Sequence, residues 1–142
     1  MESSLLGVVL DSSIVITAER KSLPVPQLVE SIQSAYGEIE VSLSPVTVAE
    51  RVHGIYRART LEASQRRRDY IQELVELVPF HPVTIETAYL VGQIEGQEAA
   101  KGNVLPFNDL LIGAAAVEQG YAVLTENLRH LGKIPGVRVL RL

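Results

Sequence analysis

Three carboxylates and an amide, far apart along the chain, occupy similar points in the secondary structure that the sequence predicts. Asp11 ends a short apolar strand, Glu50 lies early in a helix, Asp109 opens another helix, and Asn127 closely follows a strand. In a sheet of parallel strands such positions meet at the edge formed by the carboxyl ends of the strands. Carboxylates that cluster there repel one another, and a bound cation relieves the repulsion. The pattern therefore predicts a site for a divalent metal, of the kind that hydrolyses phosphodiesters.

The stretch from residue 105 to residue 127 shows best how these groups are positioned. An Ala-rich helix is expected to end at Gly120, a residue type that favours helix ends, and the apolar run 122–124 then predicts a buried strand closed by Thr125. Asp109 would sit in the first turn of this helix. Small residues on the helix allow close packing against a sheet, which would hold the Asp109 carboxylate rigidly.

The rest of the chain alternates short strands with single or paired helices. That alternation predicts one domain over residues 1–142, a three-layer α/β/α sandwich around a central, mostly parallel, five-stranded sheet. Strands are expected at 7–10, 38–44, 79–83, 122–125 and 137–142, and helices at 14–20, 27–34, 45–58, 64–78, 84–100 and 106–119.

Each acid also has a purely structural interpretation. Asp11 could cap the helix that follows it, and Asp109 could simply favour a helix N-terminus. Thr47 and Glu50 match a capping box. Glu126 could be an exposed first-turn residue. Taken together these interpretations are less convincing, because all the acids fall at the C-terminal side of successive strands.

The composition limits the class of protein and of site. The chain has 142 residues, of which 46% are hydrophobic and 21% charged, and its net charge is −4. It contains no cysteine, so a metal would be held by Asp, Glu, Asn or His, which favours Mg²⁺ or Mn²⁺. No transmembrane span or signal peptide is predicted, and a cytosolic location is expected. The acidic balance argues against a general nucleic-acid coat, although local basic residues remain compatible with a nuclease.

The basic residues give a weaker signal. Arg129 and His130 lie shortly after Asn127, near the proposed site, and could contact a phosphate. A basic rim for an RNA backbone is also conceivable. Its candidates are Arg57, Arg59, Arg66 and Arg67. Consecutive arginines usually fan around a helix into solvent, however, and no phosphate-binding glycine motif is present.

Four segments, VVLDSSIVI, SPVTVAE, FNDLLIGAAA and VLTENLRHLGKIPGVRV, together resemble the successive motifs of PIN-domain nucleases, most closely the toxin ribonucleases of the VapC type. The resemblance covers nearly the whole chain. It implies that Asp11, Glu50 and Asp109 bind Mg²⁺ or Mn²⁺ for the hydrolysis of RNA. It also implies a homodimer and a separate small antitoxin protein that neutralises the enzyme.

The resemblance is imperfect at its fourth position, where the family often has Asp and this chain has Asn127. An amide can coordinate through its carbonyl but adds no charge. Glu126 is a possible substitute, and Thr125 could hydrogen-bond a carboxylate or a phosphate. The departure keeps open a second hypothesis, a non-catalytic PIN-fold module that binds RNA or protein.

Overall fold

The computed structural model describes residues 5–142. Its elements follow in the order β1 (Gly7–Leu10), α1 (Ser12–Arg20), α2 (Val25–Tyr36), β2 (Glu40–Leu43), α3 (Pro45–Tyr56), α4 (Leu61–Leu77), α5 (Ile85–Ala100), α6 (Phe107–Gln119), β3 (Ala122–Leu124), α7 (Leu128–Leu131) and β4 (Val139–Leu140). Every strand pairing is parallel, and the strands lie in the order β2-β1-β3-β4. None of the described helices has the length and apolar character that a bilayer crossing requires.

The predicted three-layer α/β/α architecture is confirmed, because successive residues of each strand face opposite helical layers. Val8 and Leu10 of β1 pack on one side, with α1, α2 and the buried Leu74 of α4. Val9 and Val123 pack on the other side, with α5 and α6. Both faces of the sheet are covered, so the central strands are continuous apolar runs instead of alternating ones.

The predicted strand count was wrong, since the described chain forms four strands and not five. At 79–83, Phe80 makes only one isolated parallel bridge, to Leu43. The Leu43 amide donates to the Pro79 carbonyl, and the His81 amide donates to the Leu43 carbonyl. Proline has no amide hydrogen, so Pro79 and Pro82 prevent a longer ladder on either side of this bridge.

The helix that carries Asp109 packs closely on its neighbours, as its small residues predict. Ala114 and Ala116 of α6 are fully buried. A Cβ on Gly113 would lie 3.0 Å from a methyl group of Val137, so only glycine fits there without movement. The helix ends at Gly120, whose φ of 70° is left-handed and whose amide donates to the Ala116 carbonyl. These contacts fix the start of α6 at the carboxyl edge of the sheet.

Two leucines on α4 offer a matched test of this packing. Leu74 is fully buried and Leu77 is 53% exposed. We expect Leu74→Ala to lower the free energy of unfolding by about 2–5 kcal/mol, because it leaves a cavity beneath the sheet. Leu77→Ala should change it by only about 0.5 kcal/mol. Urea unfolding followed by circular dichroism measures both, and equal losses would contradict the layer assignment.

Candidate active site

The carboxyl ends of β1 and β3 form the centre of the site. Leu10 and Leu124 are register partners at the ends of these two strands, so Asp11 and Thr125 leave the sheet side by side. Both are buried, with 8% of Asp11 and none of Thr125 exposed. The sheet edge thus presents a nearly buried carboxylate next to a buried hydroxyl.

The Asp11 carboxylate is held by two hydroxyl groups. Oδ2 accepts hydrogen bonds of 2.8 Å from Ser13 and from Thr125. The Ser13 oxygen in turn accepts from the Glu126 amide at 2.9 Å, and the Thr125 oxygen accepts from the Asn127 amide at 2.8 Å. Backbone amides therefore fix both hydroxyls, and the hydroxyls fix the carboxylate. Asp11 occupies the N-cap position of α1, as its structural interpretation expects, but its side chain makes no capping hydrogen bond, so capping does not account for the carboxylate.

Glu50 comes to this centre from α3. Its Oε1 accepts a 2.7 Å hydrogen bond from Ser12, the residue after Asp11. The predicted capping box does not form, because Ser44 caps α3 and the Thr47 hydroxyl donates instead to the Leu10 carbonyl at 3.1 Å. Thr47 thus ties α3 to the end of β1. The result is that Glu50 and Asp11 are held in place by adjacent serines.

Asp109 lies in the first turn of α6 and faces the other two acids. Its pKa is raised, first because burial removes water from the carboxylate, and further because Asp11 and Glu50 repel its charge, while His130 partly offsets the effect. A helix N-terminus alone stabilises negative charge and would lower the pKa. The side chain makes no cap hydrogen bond, since the capping position is Pro106. Helix stabilisation therefore does not account for Asp109.

Asn127 occupies the rim of the site beside His130. Its amide Nδ2 lies 2.7 Å from His130 Nδ1. With Nδ2 as the donor, a neutral His130 carries its hydrogen on Nε2. Both side chains are exposed, and the Asn127 amide hydrogen on the main chain is bound by Thr125. The contact leaves the side-chain carbonyl of Asn127 as its available ligand atom.

Glu126 and Arg129 lie farther out. Both oxygens of Glu126 lie 2.8 Å from the hydroxyl of Thr17, on the second turn of α1. Glu126 is not among the charges that raise the pKa of Asp109. Arg129 is exposed on the short helix α7. Within residues 5–142 it has no carboxylate oxygen within 4.0 Å.

The hydrogen bond from Thr125 to a carboxylate was anticipated from the sequence, but the other hydroxyl residues that hold the acids in place were missed. Ser12, Ser13 and Thr17 each bind a different carboxylate of this region. The available signal was the pair of serines directly after a strand-end aspartate, where short hydroxyls can reach neighbouring side chains.

The arrangement is an open cluster of carboxylates. As they stand, no three Asp, Glu or His side chains between residues 5 and 142 converge closely enough to enclose a metal ion. The donor set nevertheless suits a hard divalent cation, since it consists of carboxylate oxygens with an amide oxygen at the rim. The repulsion recorded at Asp109 is the kind of strain that a cation would relieve.

Comparisons with known proteins identify relatives of this chain. The chain is 27% identical over 135 residues to Ribonuclease VapC1 of Rickettsia felis, which spans 95% of this chain and 96% of the relative. It is 27% identical over 97 residues to the tRNA(fMet)-specific endonuclease VapC of Salmonella typhimurium, spanning 68% of this chain and 71% of the relative.

Solved structures share the fold. VapBC2 from Rickettsia felis bound to promoter DNA superposes with a TM-score of 0.79 at 15% identity, over 96% of this chain and 98% of the other. DNA-bound VapBC from Salmonella typhimurium superposes with a TM-score of 0.78 at 23% identity, again over 96% of this chain and 98% of the other. The family model described as the PIN domain matches residues 8–136. With its parallel sheet and the acids at the carboxyl edge of that sheet, the chain belongs to the PIN-domain family.

Proposed function

We propose that this protein is a metal-dependent endoribonuclease and the toxin of a toxin–antitoxin pair. The observation that carries the proposal is that Asp109, at one edge of the sheet, feels the charges of Asp11 and Glu50, which come from two other segments of the chain. Similarity to relatives named as VapC ribonucleases supports RNA as the substrate, which would be met in the cytosol. Structural similarity to VapBC complexes supports a small antitoxin as the partner.

The three carboxylates and Asn127 would hold Mg²⁺ or Mn²⁺. Such an ion, when bound, supplies positive charge for the scissile phosphate and a more acidic water. The chain's own contribution is rigidity: Ser13 and Thr125 fix Asp11, and Ser12 fixes Glu50. Ligands fixed beforehand do not have to be ordered when the substrate binds.

A non-catalytic role for the fold receives less support. A carboxylate whose pKa is raised by burial and by the charges of two neighbouring carboxylates does nothing for folding. A module used only for docking has no need to keep it. We therefore favour the enzyme over the binding module.

A homodimer is part of the proposal. Ile85 and Tyr89 lie one turn apart on α5 and are 71% and 79% exposed. Apolar side chains of this size on one side of a helix suit burial against a second copy. Light scattering on the purified protein should give twice the mass of one chain, and a monomer at all concentrations would contradict this assembly.

Asp109→Asn should reduce metal-dependent RNA cleavage to the metal-free background, because it removes a charge from the core of the proposed site. The same change should raise the melting temperature of the metal-free protein at neutral pH. The raised pKa means that the folded state favours protonated Asp109, so this group's contribution to stability is present below its unfolded pKa of about 3.9 and lost as the pH rises through the folded value. The gain in melting temperature should therefore disappear in acid.

Asp69→Asn is the matched control, since Asp69 is exposed on α4 and accepts a hydrogen bond from Gln65, four residues earlier on the same helix. It should leave cleavage unchanged. Assays of an RNA pool with and without Mg²⁺ compare the variants. If Asp109→Asn cleaves as well as wild type, Asp109 has no part in the chemistry.

Added Mg²⁺ or Mn²⁺ should raise the melting temperature, since the ion relieves carboxylate repulsion and binds only the folded state. Ca²⁺ should stabilise the protein similarly but support less cleavage, because its coordination is looser. Differential scanning fluorimetry at millimolar metal measures the shift. An unchanged melting curve for all three ions would argue against any metal site.

Asn127→Asp should raise affinity for Mn²⁺ by roughly three- to tenfold, as one further charge joins the ligands. Without metal the same change should lower stability, because like charges repel. Calorimetric titration measures the affinity. Gln93→Glu, an equal charge change at an exposed position of α5, is the control and should alter neither quantity. Equal metal affinities for Asn127→Asp and wild type would place residue 127 outside the site.

A further inference from the structure

Two guanidinium groups approach Gly54, near the end of α3. Arg67 of α4 donates from Nη1 to the Gly54 carbonyl. Both terminal nitrogens of Arg51 lie 3.4 Å from the position that a Cβ on Gly54 would occupy. The two arginines therefore approach the same residue from different helices.

This pair is not neutralised by a direct ion pair. In the described part of the chain, neither guanidinium has a carboxylate oxygen within 4.0 Å. Burial lowers the pKa of Arg51; Arg67 and Arg20 lower it further, and Glu19 and Glu50 act in the opposite direction. In the described residues, no carboxylate in direct contact offsets the repulsion between the two guanidinium groups.

The pair also has a defined position relative to the site. Glu50 and Gly54 are four residues apart on α3, which puts them on the same face with a rise of about 6 Å along the axis. Arg51 follows Glu50 directly in the sequence. Gly54, which both guanidinium groups approach, is therefore one helical turn from the proposed metal ligand Glu50.

The two arginines have different tasks. Gly54 lies in the last turn of α3, and its carbonyl also accepts from the Arg57 amide at 3.3 Å. Arg67 thus helps to close the end of this helix. Arg51 makes no such contact with a carbonyl within the described residues, and its side chain is partly exposed, which leaves its donors available for a ligand.

The other arginines of this region do not share this environment. Arg57, Arg59 and Arg66 are exposed. Arg68 lies over the ring of Tyr56, 5.5 Å from its centroid. The structure therefore singles out Arg51, which sequence reasoning overlooked when it considered a basic rim.

We propose that Arg51, supported by the charge of Arg67, binds a phosphate of the RNA strand next to the one that is cleaved. Guanidinium groups bind phosphate oxygens through paired hydrogen bonds, which fixes direction as well as affinity. The contact positions the strand over Asp11, Glu50 and Asp109 without touching the reacting atoms. The inference rests on the proposed ribonuclease function. It goes beyond that function by naming the residue that holds the substrate backbone.

Salt dependence of RNA binding tests the proposal. The probe is a short single-stranded RNA of mixed sequence, bound to the full chain in EDTA over a range of salt concentrations. Arg51→Gln should weaken binding on the order of fivefold at low salt and reduce the slope of log affinity against log salt by about 0.7, the loss of one phosphate contact. Arg51→Lys should retain most of the slope, because the charge remains.

Arg138→Gln is the matched control. Arg138 is exposed directly before β4, at the amino edge of the sheet and opposite the site. The Arg138→Gln variant should show the same slope of log RNA affinity against log salt as the wild type. With Mg²⁺, Arg51→Gln should raise KM and leave kcat within about twofold, since the residue acts by positioning. Melting temperatures of all variants show whether each is folded.

The outcomes separate the two proposals. Suppose that the wild type cleaves RNA and that Arg51→Gln has the same salt dependence of binding and the same KM as Arg138→Gln. The proposed phosphate contact of Arg51 is then wrong, while the proposed ribonuclease function is supported. If the wild type cleaves no RNA but Arg51→Gln still reduces the salt dependence of RNA binding, the proposed function is wrong and the proposed contact of Arg51 with an RNA phosphate is supported. If Arg51→Gln loses binding to poly-glutamate but not to RNA, the pair serves an acidic protein, and the proposal is overturned.

Discussion

The anchoring of three acidic residues at one edge of the sheet is the constraint on which this structure depends. Asp11 is fixed at the end of β1, the backbone of Glu50 by the attachment of α3 to β1, and that of Asp109 by the packing of α6. Burial, followed by the charges of Asp11 and Glu50, raises the pKa of Asp109, and this shift shows the cost of the arrangement. Such strain persists where the surrounding structure is strong enough to hold it, and it marks functional sites more often than structural ones.

Much of the fold was predictable, because its signals are local. The apolar runs at β1 and β3 and the proline after Ser44 indicate their elements without reference to the rest of the chain. The parallel arrangement followed from alternation of strands and helices. The extra strand at 79–83 was predicted wrongly, since one residue pairs there and the flanking prolines prevent more. The short helix α7 was missed, as four residues are too few to give a periodic signal.

The site was predictable at the level of the acids but not of their supports. Sequence spacing placed Asp11 and Asp109 at the same edge of the sheet. It suggested that Thr125 could bind a carboxylate but not that the partner is Asp11, and it gave no sign that Ser12 reaches Glu50, 38 positions away. Nor could it bring Arg51 and Arg67 together, because that contact depends on how α3 packs against α4. Long-range side-chain contacts are set by packing, which a single sequence leaves open.

The position of a bound ion tests the central claim most directly. Crystals of the protein soaked in Mn²⁺ would reveal the metal by its anomalous scattering. The account predicts one strong peak in contact with oxygens of Asp11 and Asp109 and close to Glu50, with Asn127 at its border. A well-ordered crystal without a peak at this edge of the sheet, or with its manganese bound elsewhere, would contradict it.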